Sequence, residues 1–239
     1  MNQQDAQRVA WITGGSAGIG LAIARTVAEA GYVVVLSARN ADLLGSACAE
    51  LAAQGCRAEH EVADVTDRTA VNAARDAILA RHGRIDLLVN NAGFNSQKRK
   101  WDELVPEEFD AVIAANLTGT FNAIHAVLPA MREQGGGMVV NISSIAGKQI
   151  NPDGGVAYTV AKHGVQIMSK MLNQTELANG VRSCTIAPGG VKTRAHDWRP
   201  SEALAYMIEP EEVARAVRFA IDSPPNSFVF DIEMNWSPV

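Results

Sequence analysis

The stretch "RVAWITGGSAGIGLAIARTVAEAGYVVVLS" (8–37) decides the fold. It opens with a β-branched and aromatic run, "RVAWIT" (8–13), and closes with another, "YVVVLS" (32–37), both suited to a buried strand. Between them Gly14, Gly18 and Gly20 crowd a short turn, and a helical segment follows over 18–30. Two strands joined by a helical crossover lie parallel, and the crossover is right-handed. The glycines let a ligand approach the main chain closely, and the N–H groups of the helix start favour a pyrophosphate there. The spacing is G-x-x-x-G-x-G, not G-x-G-x-x-G, and the Lys-Ser/Thr of a P-loop is missing.

The same rhythm continues along the chain. Strands are predicted at 57–63, 86–91, 137–143, 181–187 and 227–234, and helices at 41–54, 67–82, 106–133, 156–179 and 210–222. Repeated strand and helix imply an α/β fold, a doubly wound parallel sheet of about seven strands with helices on both faces. One domain over 1–239 is the simplest organisation, without a repeat or a Pro/Ser-rich linker. Residues 188–209 form the longest strand-to-helix connection and leave a strand's C-terminal end, where such sheets bind ligands. A substrate lid is expected near 189–209.

Composition excludes several classes of function. A net charge of −5 and a pI near 5.6 leave no basic footprint for nucleic acid or an anionic membrane. No segment reads as a secretory leader or an uninterrupted membrane span, so a cytoplasmic protein is expected. Cys48, Cys56 and Cys184 form no CxxC pair and have no clustered histidines, so neither a metal site nor a disulfide framework is expected.

"AYTVAK" (157–162) places Tyr158 and Lys162 four residues apart, on one helical face. A phenol with a pKa near ~10 is a poor acid or base at neutral pH. A nearby ammonium would stabilise its phenolate. Alone, the pair is better read as an ordinary core or rim aromatic beside a solvated surface lysine.

"TGGSAGIG" (13–20), "NNAG" (90–93), "AANLTGTF" (114–121), "NISS" (141–144), "YTVAK" (158–162) and "PGGVKT" (188–193) together resemble the short-chain dehydrogenases/reductases over nearly the whole chain. The resemblance implies a single Rossmann-type domain that moves hydride between NAD(P) and an alcohol or carbonyl. It makes Tyr158 the general acid/base, Lys162 the group that lowers its pKa and holds the cofactor ribose, and Ser144 the stabiliser of the substrate oxygen. Ser143 is the lesser candidate. "NPDGG" (151–155) would turn the chain so that Ser144 and Tyr158 share a pocket. Asn116 matches the family's fourth member, which helps hold a relay water; its alternative is a core amide satisfied by backbone.

The resemblance also implies a cofactor site. Gly14, Ser16, Gly18, Ile19 and Gly20 would hold the pyrophosphate, Asp64 and Val65 the adenine, and Asn90, Asn91, Ala92 and Gly93 the adenosine ribose side. Pro188, Gly189, Val191 and Thr193 would lie against the nicotinamide. "DVTD" (64–67) is alternatively only a helix cap. An NAD site usually carries a carboxylate at the end of the second strand. Here Ala38 and Arg39 stand at that end, so no acid repels a 2′-phosphate, and Arg39, assisted by Ser37, would pair with it. NADP(H) is favoured over NAD(H), although Ala17 gives the turn no second base.

The substrate is expected to be a small alcohol or carbonyl compound. Lys98, Arg99 and Lys100 form a basic run near the active-site rim; such runs are usually solvated faces, and the alternative is recognition of an anionic substrate. Phe94, Trp101, Gln149, His196 and Trp198 are candidate pocket residues. His163, about 100° around the helix from Lys162, reads as packed or interfacial. A homodimer or homotetramer is expected, although "SFVFDIEMNWSPV" (227–239) lacks the family's glycine-rich ending, where a tetramer interface is carried. A nucleotide-binding regulator without turnover is the competing class; such members would be expected to lose Ser, Tyr or Lys, and all three are kept.

Overall fold

The computed structural model describes residues 7–193, 201–224 and 226–236, and its first unit forms as the opening stretch dictates. Strand β1 (Val9–Thr13), helix α1 (Gly18–Glu29) and strand β2 (Val33–Ala38) make a parallel βαβ unit, with Val9 opposite Val33 and Thr13 opposite Ser37. Successive side chains of a strand point to opposite faces. Val9 and Trp11 accordingly enter one core cluster, while Ala10 and Ile12 enter another on the far side of the sheet. Burial on both faces is why these strands read as continuous apolar runs rather than alternating ones.

The chain continues through α2 (Ala41–Ala53), β3 (Ala58–Val62), α3 (Arg68–His82), β4 (Leu87–Asn90), α4 (Pro106–Ile113), α5 (Gly119–Glu133), β5 (Gly137–Ile142), α6 (Val156–Glu176), β6 (Val181–Pro188), α7 (Ser201–Leu204), α8 (Pro210–Ile221) and β7 (Asp231–Met234). All seven strands are parallel, in the order β3-β2-β1-β4-β5-β6-β7. This is a Rossmann-like α/β sheet with helices packed on both faces. The order reverses between β1 and β4. Connections leaving these two strands diverge to opposite faces, which opens a crevice at their C-terminal ends.

Three expectations need correction. The helix expected over 106–133 is interrupted by one wide π turn, Ala114–Thr118, which carries Asn116. A turn of this kind often marks a functional position. Strand β7 begins at Asp231 rather than 227, because its pairing with β6 starts only at Thr185 opposite Asp231. Finally, Pro106–Glu133 is long and apolar enough to cross a membrane by length and composition. Half of its most apolar window is buried here, and Ala123, Val127 and Met131 join the core cluster under α3 and α5.

Candidate active site

The C-terminal ends of β1, β4, β5 and β6 open on one cavity of about 830 Å³. Gly14 and Gly18 border one end, and Ser144, Tyr158 and Lys162 the wall further along. At the glycine end, Gly14 adopts a φ of +65°, and a side chain on Gly20 would strike the Asn91 amide at 2.6 Å. The turn therefore tolerates only glycine at these two places. Asn91 locks it from outside, its Nδ2 donating to the carbonyls of Thr13 and Gly14 at 3.1 and 3.0 Å. The N-cap of α1 is Ala17, which makes no side-chain capping bond, and the first turn holds no acidic residue. Uncapped N–H groups beside a glycine cradle suit a pyrophosphate, so the residues present fit a dinucleotide.

The other expected cofactor residues divide into three groups. Ile19, Asn91, Ala92, Gly93, Pro188, Gly189, Val191 and Thr193 border the cavity. Arg39 is exposed just past the end of β2, and its charge reaches Asp64. Burial opposes ionisation of Asp64, but the backbone N–H and hydroxyl of Thr66, at 2.9 and 2.8 Å, and then Arg39, hold its carboxyl below the usual range. Asp67, not Asp64, caps α3, accepting from the N–H groups of Thr69 and Ala70. Val65 packs against Gly119, and Ser16 sits half-buried in the turn.

Two residues are turned inward. Ser37 is 1% exposed and its hydroxyl accepts from the Trp11 indole at 2.7 Å. The expectation that it assists Arg39 is therefore corrected: strand alternation aims this side chain into the core. Asn90 likewise donates to Asn141 at 2.8 Å inside the sheet rather than lining the ribose side.

At the chemical end, the loop after β5 is pressed onto α6, with the Ser143 hydroxyl donating to the Lys162 carbonyl at 3.3 Å. That leaves Ser144 facing the cavity, its Oγ accepting from the Ala146 N–H at 3.2 Å and hydrogen-bonded to the Tyr158 phenol. Lys162 donates to the Ile142 carbonyl at 2.9 Å, and its Nζ lies 5.4 Å from the Tyr158 ring centroid. Ser144, Tyr158 and Lys162 are thus gathered from two elements onto one wall.

The phenol's acidity differs from expectation. Burial raises the Tyr158 pKa above its ordinary value, and the groups that draw it back are the Ser144 hydroxyl and the Arg99 charge. Lys162 does not set the net direction, as desolvation outweighs the neighbouring charges. Burial pulls Lys162 itself down to about 8. Asn116 is 1% exposed, and its Nδ2 donates to the carbonyls of Phe94 and Val112 at 2.7 and 2.9 Å. It ties the loop after β4 to the π turn, with Oδ1 buried and without a partner among the described residues.

The Lys162 shift has a consequence for stability. With a folded pKa of about 8 against an ordinary 10.5, the unfolded chain binds more protons between those values, so this group's contribution rises as pH climbs through them. Below about 8 its destabilising effect is fully present. Lys162→Met should therefore stabilise the cofactor-free protein at neutral pH by about 1–3 kcal/mol, and the difference should shrink as pH climbs from about 8 to 10.5. Denaturant unfolding across pH checks this. A variant no more stable at neutral pH would contradict it.

Several cavity residues carried no sequence signal of their own. Asn95, Gln97, Asn151, Met207 and Trp236 all border it. The departure of the C-terminal stretch from a glycine-rich ending was the available clue to Trp236, which lies 3.2 Å from where a side chain on Gly189 would begin. Phe94 borders the cavity, whereas Trp101, 84% exposed, and Gln149 do not. His196 and Trp198 lie outside the described residues. The two ends of the expected lid are tied to each other by a parallel bridge between Val191 and Ile208. The His163 ring bonds the Thr159 carbonyl at 2.9 Å, one turn back on its own helix.

The chain is similar to known proteins along most of its length. The family model for short chain dehydrogenase matches residues 8–203. A D-threitol dehydrogenase of Mycolicibacterium smegmatis is 38% identical, covering 89% of this chain and 85% of its own. A cis-4-hydroxycyclohexanecarboxylate dehydrogenase of Sinomonas cyclohexanicum is 36% identical, covering 96% and 94%. Among solved structures, a metagenomic short-chain oxidoreductase in complex with NADP superposes with a TM-score of 0.84 at 33% identity, covering 97% of this chain and 98% of that one.

Proposed function

The chain belongs to the short-chain dehydrogenase/reductase family, and from that premise we propose that it moves hydride between NADP(H) and a small secondary alcohol or ketone, with Tyr158 as the general acid/base. As a family member it is an oxidoreductase acting on alcohol and carbonyl groups with NAD(P). The observation that carries the reading is the meeting of Ser144, Tyr158 and Lys162 on the wall of a cavity that begins at the glycine turn.

The main chain of Gly14 to Gly20 would hold the pyrophosphate, with Pro188, Gly189, Val191 and Thr193 bordering the nicotinamide. When bound, that cofactor supplies or accepts the hydride. Ser144 and Tyr158 present hydroxyls to one point, where a carbonyl oxygen would receive both. Tyr158 gives that oxygen its proton, and Ser144 stabilises the charge developing on it. The Lys162 ammonium stabilises the phenolate left behind. A phenol is protonated at neutral pH, and burial raises the Tyr158 pKa further, so the proton needed for carbonyl reduction is on the residue in the cofactor-free protein. Asn116 holds the floor of the site through Phe94 and Val112, and its role is positional.

Preference for NADP(H) is supported by Arg39, exposed at the end of β2 beside Ala38, and by the NADP complex of the metagenomic relative. A panel of ketones and secondary alcohols assayed with each cofactor by nicotinamide absorbance tests the proposal. Turnover with NADPH exceeding that with NADH is the expected result. Turnover favouring NADH would overturn the cofactor assignment, and no turnover with either would overturn the reaction.

A further inference from the structure

Besides Tyr158, two large aromatic side chains among the described residues border the cavity, Phe94 and Trp236. The chemistry above uses neither. They stay 46% and 44% exposed. A single exposed aromatic is ordinary on a protein surface, but these two stand around one cavity.

The register of the sheet fixes Trp236. Strand β7 pairs with β6 as far as Met234 opposite Pro188, and the Gly189 N–H then donates to the Met234 carbonyl at 2.8 Å. The next two residues of the C-terminal stretch cross the Gly189–Gly190 segment that follows β6. A side chain on Gly189 would meet the Asn235 Oδ1 at 2.8 Å and the Trp236 Cδ1 at 3.2 Å. One on Gly190 would strike the Met207 Cε at 2.7 Å and lie 3.8 Å from the Trp236 Nε1. The indole thus packs along both glycines. The Asn235 Oδ1 accepts from the Trp236 N–H at 3.0 Å, which holds the main chain in that crossing. Met207 is buried and also borders the cavity, so Met207, the glycine pair and Trp236 form one wall without a charged side chain. Among the described lining residues, the charged side chains come instead from the loops after β4 and β5 and from α6.

We propose that Trp236 sets substrate specificity: its indole takes an apolar substituent of the ketone or secondary alcohol, and the protein acts on substrates carrying a hydrocarbon ring in preference to small ones. The inference rests on the dehydrogenase reading above and names its substrate class. An indole presents a broad, rigid apolar face with few rotamers to freeze. A ring laid against it removes apolar surface of both partners from water, and each buried CH2 is worth about fourfold in affinity.

The test compares cyclohexyl methyl ketone with 3-methylbutan-2-one, two ketones alike at the carbonyl and at the branched carbon beside it. Wild type, Trp236→Ala, Trp236→Phe and Trp101→Ala are assayed at saturating cofactor. Wild type should favour the cyclohexyl ketone in kcat/KM by about tenfold to a hundredfold, the range of three additional CH2 groups buried in part or in full. Trp236→Ala should collapse that ratio towards one, and Trp236→Phe, which keeps a smaller flat ring, should retain most of it. Trp101→Ala removes a tryptophan that is 84% exposed and does not border the cavity, and it should leave the ratio unchanged. The ratio is read within each variant, so a general loss of activity cancels, and cofactor titration verifies that each variant is folded. Wild type that turns over the two ketones equally well overturns the inference and leaves the dehydrogenase reading intact. A ring preference that survives in Trp236→Ala, or falls equally in Trp101→Ala, also overturns it. No turnover of a wider ketone panel would overturn the dehydrogenase reading, and this inference with it.

Discussion

Tyr158→Phe should lose turnover by about 10²–10⁴-fold while binding NADP(H) nearly as tightly as wild type. Only the hydroxyl is removed, and the ring that packs beneath the Lys162 ammonium at 5.4 Å remains. The loss would be large because the hydroxyl has two proposed roles: it would deliver the proton, and with Ser144, to which it is hydrogen-bonded, it would fix where the carbonyl oxygen sits. Single-turnover kinetics with saturating cofactor separate these roles from binding. A variant with near wild-type turnover would remove Tyr158 from the mechanism.

Ala38→Asp combined with Arg39→Ala should move preference from NADP(H) to NAD(H). The new carboxylate, at the end of β2, would repel a 2′-phosphate and accept hydrogen bonds from free ribose hydroxyls. The deleted guanidinium would no longer offset the phosphate charge. A charge-assisted hydrogen bond contributes ~1.5–3 kcal/mol, so losing one or two should weaken NADP(H) by about tenfold to several hundredfold. Direct titration of both proteins with both cofactors reads the effect. If wild type already binds NAD(H) more tightly, or the ratio does not move, Arg39 is a solvated loop residue and nothing more.

The architecture was legible because local composition and global fold agree. The "VAWIT" and "VVVLS" runs are buried on both faces of a parallel sheet, and Gly14 and Gly20 between them occupy positions where a side chain would strike the backbone or Asn91. The grouping of Ser144, Tyr158 and Lys162 was legible only through the joint pattern of six motifs, since a serine and a tyrosine far apart in sequence meet through loop geometry. What stayed hidden depended on packing direction. Ser37 reads as exposed at a strand end, but alternation turns it to Trp11. The π turn at Asn116 has no compositional mark in an otherwise regular helix. Arg99 stands in sequence as one of three consecutive bases, and packing turns it to the Ser96 and Asp153 carbonyls. The upward direction of the Tyr158 pKa was equally unreadable, because spacing reveals a neighbouring charge and not the depth of burial.

Transfer of isotope from the cofactor tests the central claim most directly. The protein is incubated with a ketone and NADPH in which both hydrogens at C4 of the nicotinamide are deuterium, and the product alcohol is analysed by mass spectrometry. The account predicts one deuterium on the carbinol carbon of each product molecule, with the hydroxyl proton, delivered by Tyr158, coming from water. Alcohol that forms without label on that carbon, or no alcohol from any ketone offered, would contradict it.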